Sequence, residues 1–198
     1  MKSLKLLGVV AALAAGTSAF AQQSPTPTAS SGLLGQRYVS AAFGVVDLNR
    51  FPVDQFGASV GVNLPLTTTV DLGLGYTHSW LESFSDIDSE TLVADLTTYF
   101  SSGAIKPFGT VAVGYDWNDV DDSSFWVVRA GFEYDVNSRL STSVSAGYTD
   151  DFNSGDGSQW DGAVRANYWV TRSVAAVATV SLIERGHVGY SLGATIRF

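Results

Sequence analysis

Residues 190–198 read YSLGATIRF, and apolar side chains alternate along them with small or polar ones. The apolar set is Tyr190, Leu192, Ala194, Ile196 and Phe198. Because successive side chains of a β-strand point to opposite faces, this period of two predicts a strand with one apolar face. Terminal residues are usually polar and frayed. We therefore expect the apolar face of this last strand to contact something other than water.

The same alternation recurs through most of the chain. Ten alternating segments begin near residues 37, 56, 69, 90, 107, 125, 139, 160, 173 and 187. Each runs for roughly nine to twelve residues, close to the length that a tilted strand needs to cross a bilayer. So much strand is unusual for a soluble domain. The pattern favours an all-β, closed antiparallel transmembrane β-barrel of about ten strands, with eight as the alternative.

The start of the chain has a different composition. Residues 1–21 combine Lys2 and Lys5 with a short apolar run and end in Ala-Phe-Ala, which is typical of a secretory signal peptide. Residues 22–35, QQSPTPTASSGLLG, are rich in Ser, Thr and Pro and are interpreted as a flexible lead-in. The barrel is expected to occupy residues 36–198.

Composition limits the classes of protein to which this chain can belong. The chain has no cysteine, a formal net charge of −8 and only 15% charged residues. An acidic chain without a basic cluster argues against nucleic acid as a partner. A soluble barrel with its apolar face inward would expose Gly, Ser, Thr and Ala, whereas soluble sheets usually carry Lys and Glu on their wet face. The apolar face is therefore expected to meet lipid.

The signal peptide, the alternation and the terminal YSLGATIRF resemble the small outer-membrane β-barrel families of Gram-negative bacteria, porin-like proteins among them. In those families a last strand that ends in Phe serves as the signal for the barrel-assembly machinery. The resemblance implies that Tyr190, Leu192, Ala194, Ile196 and Phe198 form this assembly signal. It also implies a location in the outer membrane, with membrane lipid and lipopolysaccharide as partners.

Turns and loops are expected at opposite ends of the barrel. Outer-membrane barrels have short periplasmic turns, long outer loops and two aromatic girdles. The short connections carry Lys106, Arg139 and Arg172, and the longer ones are acidic. The outer girdle is predicted to contain Tyr76, Tyr115, Trp117, Trp126, Tyr148 and Trp160, and the periplasmic girdle Phe100, Tyr134, Tyr168 and Phe198.

Charged residues on the small, polar face are expected to point into the lumen. They are Asp71, Asp95, Arg129, Glu133, Asp161 and Arg165. Buried charges need partners, so the first interpretation is a structural ion-pair network that fills a narrow lumen. The alternative is the lining of a small pore, which the many inward Gly, Ala and Ser residues would leave room for.

Two acidic loops are candidates for weak binding of Ca²⁺ or Mg²⁺. Clustered carboxylates with Asn and Gly suit these cations, although the spacing does not match an EF-hand. The candidate residues are Asp116, Asp119, Asp121, Asp122, Asp150, Asp151, Asn153, Asp156 and Asp161. The alternative is a solvated acidic rim without a bound cofactor.

No strong catalytic motif is present, and we expect no enzyme activity. Asp86 and Asp88, with His187 near the same rim, bear a remote similarity to the omptin proteases, which use paired acids and a His to activate water. The sequence therefore predicts a barrel with a structural or surface-interaction role. A narrow passive pore for small solutes is the alternative.

Overall fold

The predicted strands all form. The computed structural model describes residues 31–48, 54–81, 84–100, 103–118, 122–152 and 158–198. Its strands are β1 (Tyr38–Asp47), β2 (Asp54–Pro65), β3 (Val70–Leu81), β4 (Phe84–Tyr99), β5 (Ile105–Asn118), β6 (Asp122–Asp135), β7 (Leu140–Asp151), β8 (Gln159–Trp169), β9 (Val174–Ile183) and β10 (His187–Arg197). A 3₁₀ turn, Glu184–Gly186, connects β9 to β10. Among the described residues, no helix is both long and apolar enough to cross a membrane.

The sheet closes on itself. Each strand pairs antiparallel with its sequence neighbours, and β1 pairs with β10 from Tyr38 opposite Arg197 to Asp47 opposite Val188. The barrel therefore has ten strands, and the eight-stranded alternative is wrong. Closure pairs the backbone groups of both terminal strands, which is the condition for strands in hydrocarbon, where no water can satisfy an open edge.

The apolar face points outward. Val128, Leu182 and Leu192 are 48%, 63% and 72% exposed, whereas Arg129 on the opposite face of β6 is 4% exposed. The alternation therefore has the predicted facing, and the soluble alternative with an apolar interior is wrong. A wall of exposed Val, Leu and aromatic side chains this large is stable only against an apolar solvent.

Several strands extend further than predicted. β4 has 16 residues, and β5 and β6 have 14 each. The additional residues lie at the end with the longer connections, hereafter the loop end; the opposite end, with the short connections, is the turn end. Asp116, Asp122 and Asp151, expected in loops, are strand residues. The backbone ladder does not require apolar side chains, so it continues past the point where the apolar pattern stops.

Aromatic rings collect at both ends. At the loop end, the Tyr148 ring centroid lies 5.6 Å from that of Trp126 and 5.0 Å from that of Trp160. Trp117 contacts Tyr76 and Tyr115 there in the same way. At the turn end the outward aromatics are Phe100, Tyr134, Tyr168 and Phe198, all 41% exposed or more. A further group that the sequence analysis did not identify is formed by Phe43, Phe56 and Trp80.

Three short turns share one construction. In each, the first polar side chain accepts backbone N–H bonds from residues two or three positions later: Thr67 from Thr69, Asn137 from Arg139 and Leu140, Thr171 from Ser173 and Val174. Such side-chain bonds mimic backbone turns and explain why Asn, Ser and Thr are favoured there. The turns hold strand pairs β2–β3, β6–β7 and β8–β9 in register at the turn end.

Candidate functional site: a plugged lumen

Residues 31–35 enter the lumen at the turn end. Ser31 and Leu33 are fully buried, and Leu34 is 2% exposed. The backbone N–H of Gln36 donates to the Leu33 carbonyl at 3.2 Å, and Gly35 has φ 97°, as the third position of a type II turn requires. This turn leads the chain back into β1. These five residues, hereafter the plug, belong to the segment interpreted as a flexible lead-in, and they lie inside the barrel instead.

Glu133 holds the plug through its backbone. One carboxylate oxygen accepts hydrogen bonds from the N–H of Leu33 at 2.7 Å and from that of Leu34 at 3.4 Å. A Cβ at Gly32 would overlap this carboxylate, so only glycine allows the close approach. Glu133 is 1% exposed, and charge-assisted bonds to backbone donors are the strong ones.

Ser31 anchors the other end of the plug. Its hydroxyl lies 2.9 Å from the Leu140 carbonyl oxygen and 3.1 Å from an Asp135 carboxylate oxygen. Its carbonyl accepts from Trp169 Nε1 at 2.6 Å and from the Ser141 hydroxyl at 2.9 Å. Bonds from three strands therefore converge on one residue.

Apolar contacts complete the closure of the turn end. Leu33 packs with Tyr38, Trp169 and Ala175. Leu34 packs with Tyr99 and Phe108. The two leucines fill opposite parts of the lumen, so the plug is held by packing as well as by hydrogen bonds.

Lys106 neutralises the acids around the plug. Its ammonium lies 3.3 Å from Glu133 Oε1 and 2.8 Å from Asp135 Oδ2, and the residue is 4% exposed. Its expected position in a turn is therefore wrong: Lys106 is the second residue of β5. The sequence does contain a signal for this position. Lys106 alternates with Phe108 and Thr110, so its side chain falls on the same inward face as theirs.

A second ion pair lies on the inner face of the wall, nearer to the middle of the barrel. Arg129 Nη2 lies 2.6 Å from Asp161 Oδ1, with side chains 3% and 4% exposed. Gly147 of β7 stands opposite both residues, Arg129 on one side and Asp161 on the other. A Cβ at Gly147 would lie 3.0 Å from Arg129 Nε and from Asp161 Oδ2. Glycine on the middle strand thus lets the two charges meet across it.

The other predicted lumen residues also point inward. Asp71 is fully buried, Asp95 is 2% exposed and Arg165 is 5% exposed. Asp95 accepts from the Thr97 hydroxyl at 3.3 Å and lies over Gly73, its partner on β3. The inward placement of Asp71, Asp95, Arg129, Glu133 and Arg165 is therefore as predicted. Glu133, however, pairs with Lys106, which the sequence analysis did not place in the lumen.

Apolar side chains fill two further parts of the lumen. Phe125, fully buried, lies over Gly114 and packs with Val93, Ala112 and Val127. Near the loop end a second cluster is formed by Val46, Leu48, Leu81 and Ile183. On the side of β1, β2, β9 and β10, small residues leave a cavity of about 20 Å³, room for about one water molecule. Its inward lining includes Ser40, Ser59, Gly61, Arg165, Thr179, Ser191 and Thr195.

Among the solved structures with similar folds are a porin and the translocator domain of an autotransporter. The NanC porin aligns with a TM-score of 0.51 at 10% identity, covering 81% of this chain and 100% of that chain. The translocator domain of the autotransporter NalP from Neisseria meningitidis aligns with a TM-score of 0.50 at 11% identity, covering 98% of this chain and 95% of that chain. The fold is that of an outer-membrane β-barrel. No family model and no curated protein matches the sequence.

The acidic residues that were expected in loops lie apart from one another in the barrel. Asp116 points into the lumen, 1% exposed, and accepts from the hydroxyls of Ser89 at 2.6 Å and Thr91 at 3.0 Å. Asp122 accepts from the Tyr115 hydroxyl at 3.0 Å. Asp150 accepts from the backbone N–H of Asp151. Asp119, Asp121, Asn153 and Asp156 lie outside the described residues. Within the described ranges no three acidic or histidine side chains could hold a metal ion.

The remote similarity to the omptins finds no geometric counterpart. Asp88 pairs with Trp80 and is exposed on the outer face of the barrel, whereas His187 points inward and is 5% exposed. The wall of the barrel separates the two side chains. The side chain of Asp86 lies outside the described part of the structure.

The terminal strand presents the expected face. Tyr190, Leu192, Ile196 and Phe198 are 50% exposed or more, and Ala194 lies in the same outward row. The N–H of Phe198 donates to the carbonyl of Arg37 at 3.3 Å, which extends the β1–β10 ladder to the last residue. The apolar face of β10 therefore belongs to the lipid-facing wall at the seam where the barrel closes.

Proposed function

We propose that this protein is an integral outer-membrane barrel with a structural role in the cell envelope, and that the plug keeps its lumen closed. The observation that carries the proposal is the bond between Glu133 and the backbone N–H of Leu33, at 2.7 Å in a fully buried environment. A pore needs a continuous aqueous path, and this contact lies across such a path at the turn end.

Opening the lumen would be energetically costly. Glu133 would lose the backbone N–H groups of Leu33 and Leu34, and a buried acceptor that loses its donors typically costs about 1–3 kcal/mol, more for a charged group. Leu33 and Leu34 would also lose their apolar surroundings. Phe125 and the loop-end cluster narrow the lumen above the plug. A resting barrel that conducts poorly is the expected consequence.

Conductance in planar bilayers tests the proposal directly. The folded wild-type barrel, identified by its heat-modifiable gel mobility, should add no steady conductance. The variant Gly32→Leu, whose side chain overlaps the Glu133 carboxylate, reports whether the plug is what closes the lumen. Gly57→Ala is the control, because a Cβ at this lumen glycine meets only ordinary contacts at 3.6 Å. Steady conductance of the wild type would contradict the structural role.

A narrow passive pore is the second candidate. The cavity lined by small polar side chains on β1, β2, β9 and β10 favours it, because that side of the lumen carries little packing. Under this alternative, conductance should be selective for small solutes and should fall when Ser59 or Ser191 is replaced by Phe. The absence of conductance in both the wild type and Gly32→Leu would contradict the pore function.

The acidic loop end is a further part of the proposed role. Carboxylates such as Asp122 and Asp150 lie at the loop end beside the aromatic girdle, Asp122 opposite Trp117 and Asp150 opposite Trp126. Ca²⁺ or Mg²⁺ bound there would bridge them to anionic lipopolysaccharide. Removal of divalent cations with a chelator should then lower the thermal stability of the barrel in lipopolysaccharide-containing membranes. An identical melting temperature with and without chelator would favour a solvated rim.

A further inference from the structure

A cationic hollow opens at the turn end beside the plug. It has a volume of about 600 Å³, and its lining combines three arginines with the hydroxyls of two turns and the ring of Trp169. The arginines are Arg139, Arg172 and Arg197. We call this site the arginine pocket. It lies at the opposite end from the acidic loops of a chain whose formal net charge is −8.

Backbone bonds bring the three arginines together from separate parts of the chain. The carbonyl of Arg139 accepts from the Trp169 N–H at 2.8 Å. The carbonyl of Ser173, the residue after Arg172, accepts from the Arg197 N–H at 2.8 Å. The turns β6–β7 and β8–β9 and the end of β10 are therefore locked side by side, and the pocket is a fixed feature of the barrel.

Arg197 is held over an aromatic ring. Its guanidinium carbon lies 3.9 Å from the centroid of Trp169, within the range of a cation–π contact. Trp169 is fixed in turn by its bond to the plug residue Ser31. The stack orients the guanidinium plane but supplies no hydrogen-bond acceptor for its N–H groups.

The positive charge in this pocket has no acid to balance it. Within the described part of the chain, no carboxylate lies within 4 Å of the guanidinium nitrogens of Arg139, Arg172 or Arg197. Arg197 Nε and Nη2 are buried and make no hydrogen bond. Buried donors without partners are costly, and like charges held together repel. An anion in the pocket would relieve both costs.

We propose that the arginine pocket binds a phosphate group. Planar guanidinium groups match phosphate oxygens in bidentate fashion, and the Ser138 and Thr171 hydroxyls add neutral donors at the same mouth. The turn end of a membrane barrel lies at lipid headgroups, so the phosphate can come from a phospholipid headgroup or from a free phosphate. Both sources present the same chemistry to the three arginines.

Two measurements on the refolded full barrel separate these sources. The first is calorimetric titration of inorganic phosphate into the barrel in neutral detergent. The second compares melting temperatures in micelles of a neutral detergent without phosphate, with and without added phosphatidylglycerol. Both use wild type, the double variant Arg139→Gln with Arg172→Gln, and the control Arg37→Gln. Arg37 is an exposed arginine at the same end that does not line the pocket.

The double variant removes exposed turn side chains, so folding should be unaffected. Phosphate affinity should fall at least about tenfold in the double variant and stay unchanged in the control, because each lost charge-assisted bond weakens binding by about that factor. A stabilisation by phosphatidylglycerol that the double variant loses identifies the lipid headgroup as the source; phosphate binding without it identifies free phosphate. If the wild type and the double variant behave alike in both measurements, the proposal is wrong.

Discussion

The carboxylate of Glu133 accepts a hydrogen bond from the backbone N–H of Leu33, 2.7 Å away and 100 residues earlier in the chain. This contact joins the segment before the first strand to the inner face of the sixth. The same carboxylate also pairs with Lys106. Contacts inside the lumen therefore contribute to the stability of the fold.

The plug should become accessible when Gly32 gains a side chain. Gly32→Ala introduces a Cβ that overlaps the Glu133 carboxylate, so residues 31–35 should leave the lumen while the strands stay folded. Chymotrypsin, which cleaves after leucine, should then cut at Leu33 or Leu34, both buried in the wild type. Gly57→Ala should leave the barrel resistant. Equal protection of both variants would show that the plug tolerates the side chain.

The Arg129–Asp161 pair should show strong coupling. Asp161→Ala leaves the guanidinium of Arg129 buried without its 2.6 Å partner, and the free energy of unfolding should fall by about 3–5 kcal/mol. Arg129→Met together with Asp161→Leu should recover most of that loss, since neither residue then leaves a charge behind. A double-mutant cycle of wild type, Arg129→Met, Asp161→Leu and the double variant, followed by urea unfolding in lipid vesicles, measures the coupling. Additive losses would mean that the two residues act independently.

Charge on the outer wall should be tolerated only near the membrane surface. Val128 lies in the middle of β6 and is 48% exposed. Val128→Arg should lower the free energy of unfolding by about 2–4 kcal/mol, as expected for arginine at the bilayer midplane. The control is Val136→Arg, the same change on an exposed residue of the turn that follows β6, where the cost should be about 0–1 kcal/mol. Similar costs at both sites would contradict the facing and depth of β6.

Loss of the last aromatic side chain should impair assembly in cells more than folding in detergent. Phe198→Ala removes the ring that, by resemblance to the outer-membrane families, the assembly machinery recognises. Phe100→Ala is the control. Phe100 is likewise exposed at the turn end, at 73% against 64% for Phe198, but it is not the terminal residue. The measurements are the amount of folded protein in the outer membrane and the refolding yield of the purified protein. Normal membrane levels of the Phe198 variant would refute the assembly role.

The facing of each strand could be predicted from the sequence, because a period of two assigns a face residue by residue and needs no distant information. Closure could be predicted because strands that face lipid cannot leave an open edge. Asp71, Asp95, Arg129, Glu133 and Arg165 could be placed in the lumen for this reason. The partners of these charges depend on strand register around the whole barrel. Arg129 meets Asp161 only because Gly147 stands between them on β7, and alternation within a strand carries no signal of that alignment.

The plug was decided by tertiary structure alone. Residues 31–35 have the composition of a linker, and local propensity describes them as one; they are ordered because Glu133, Asp135 and Trp169, each about a hundred residues away or more, converge on them once the barrel closes. The displacement of Lys106 and Asp116 from turn and loop into the lumen has a similar cause. A strand ends where its ladder loses a partner, and that depends on the neighbouring strands rather than on the apolar pattern of the strand itself.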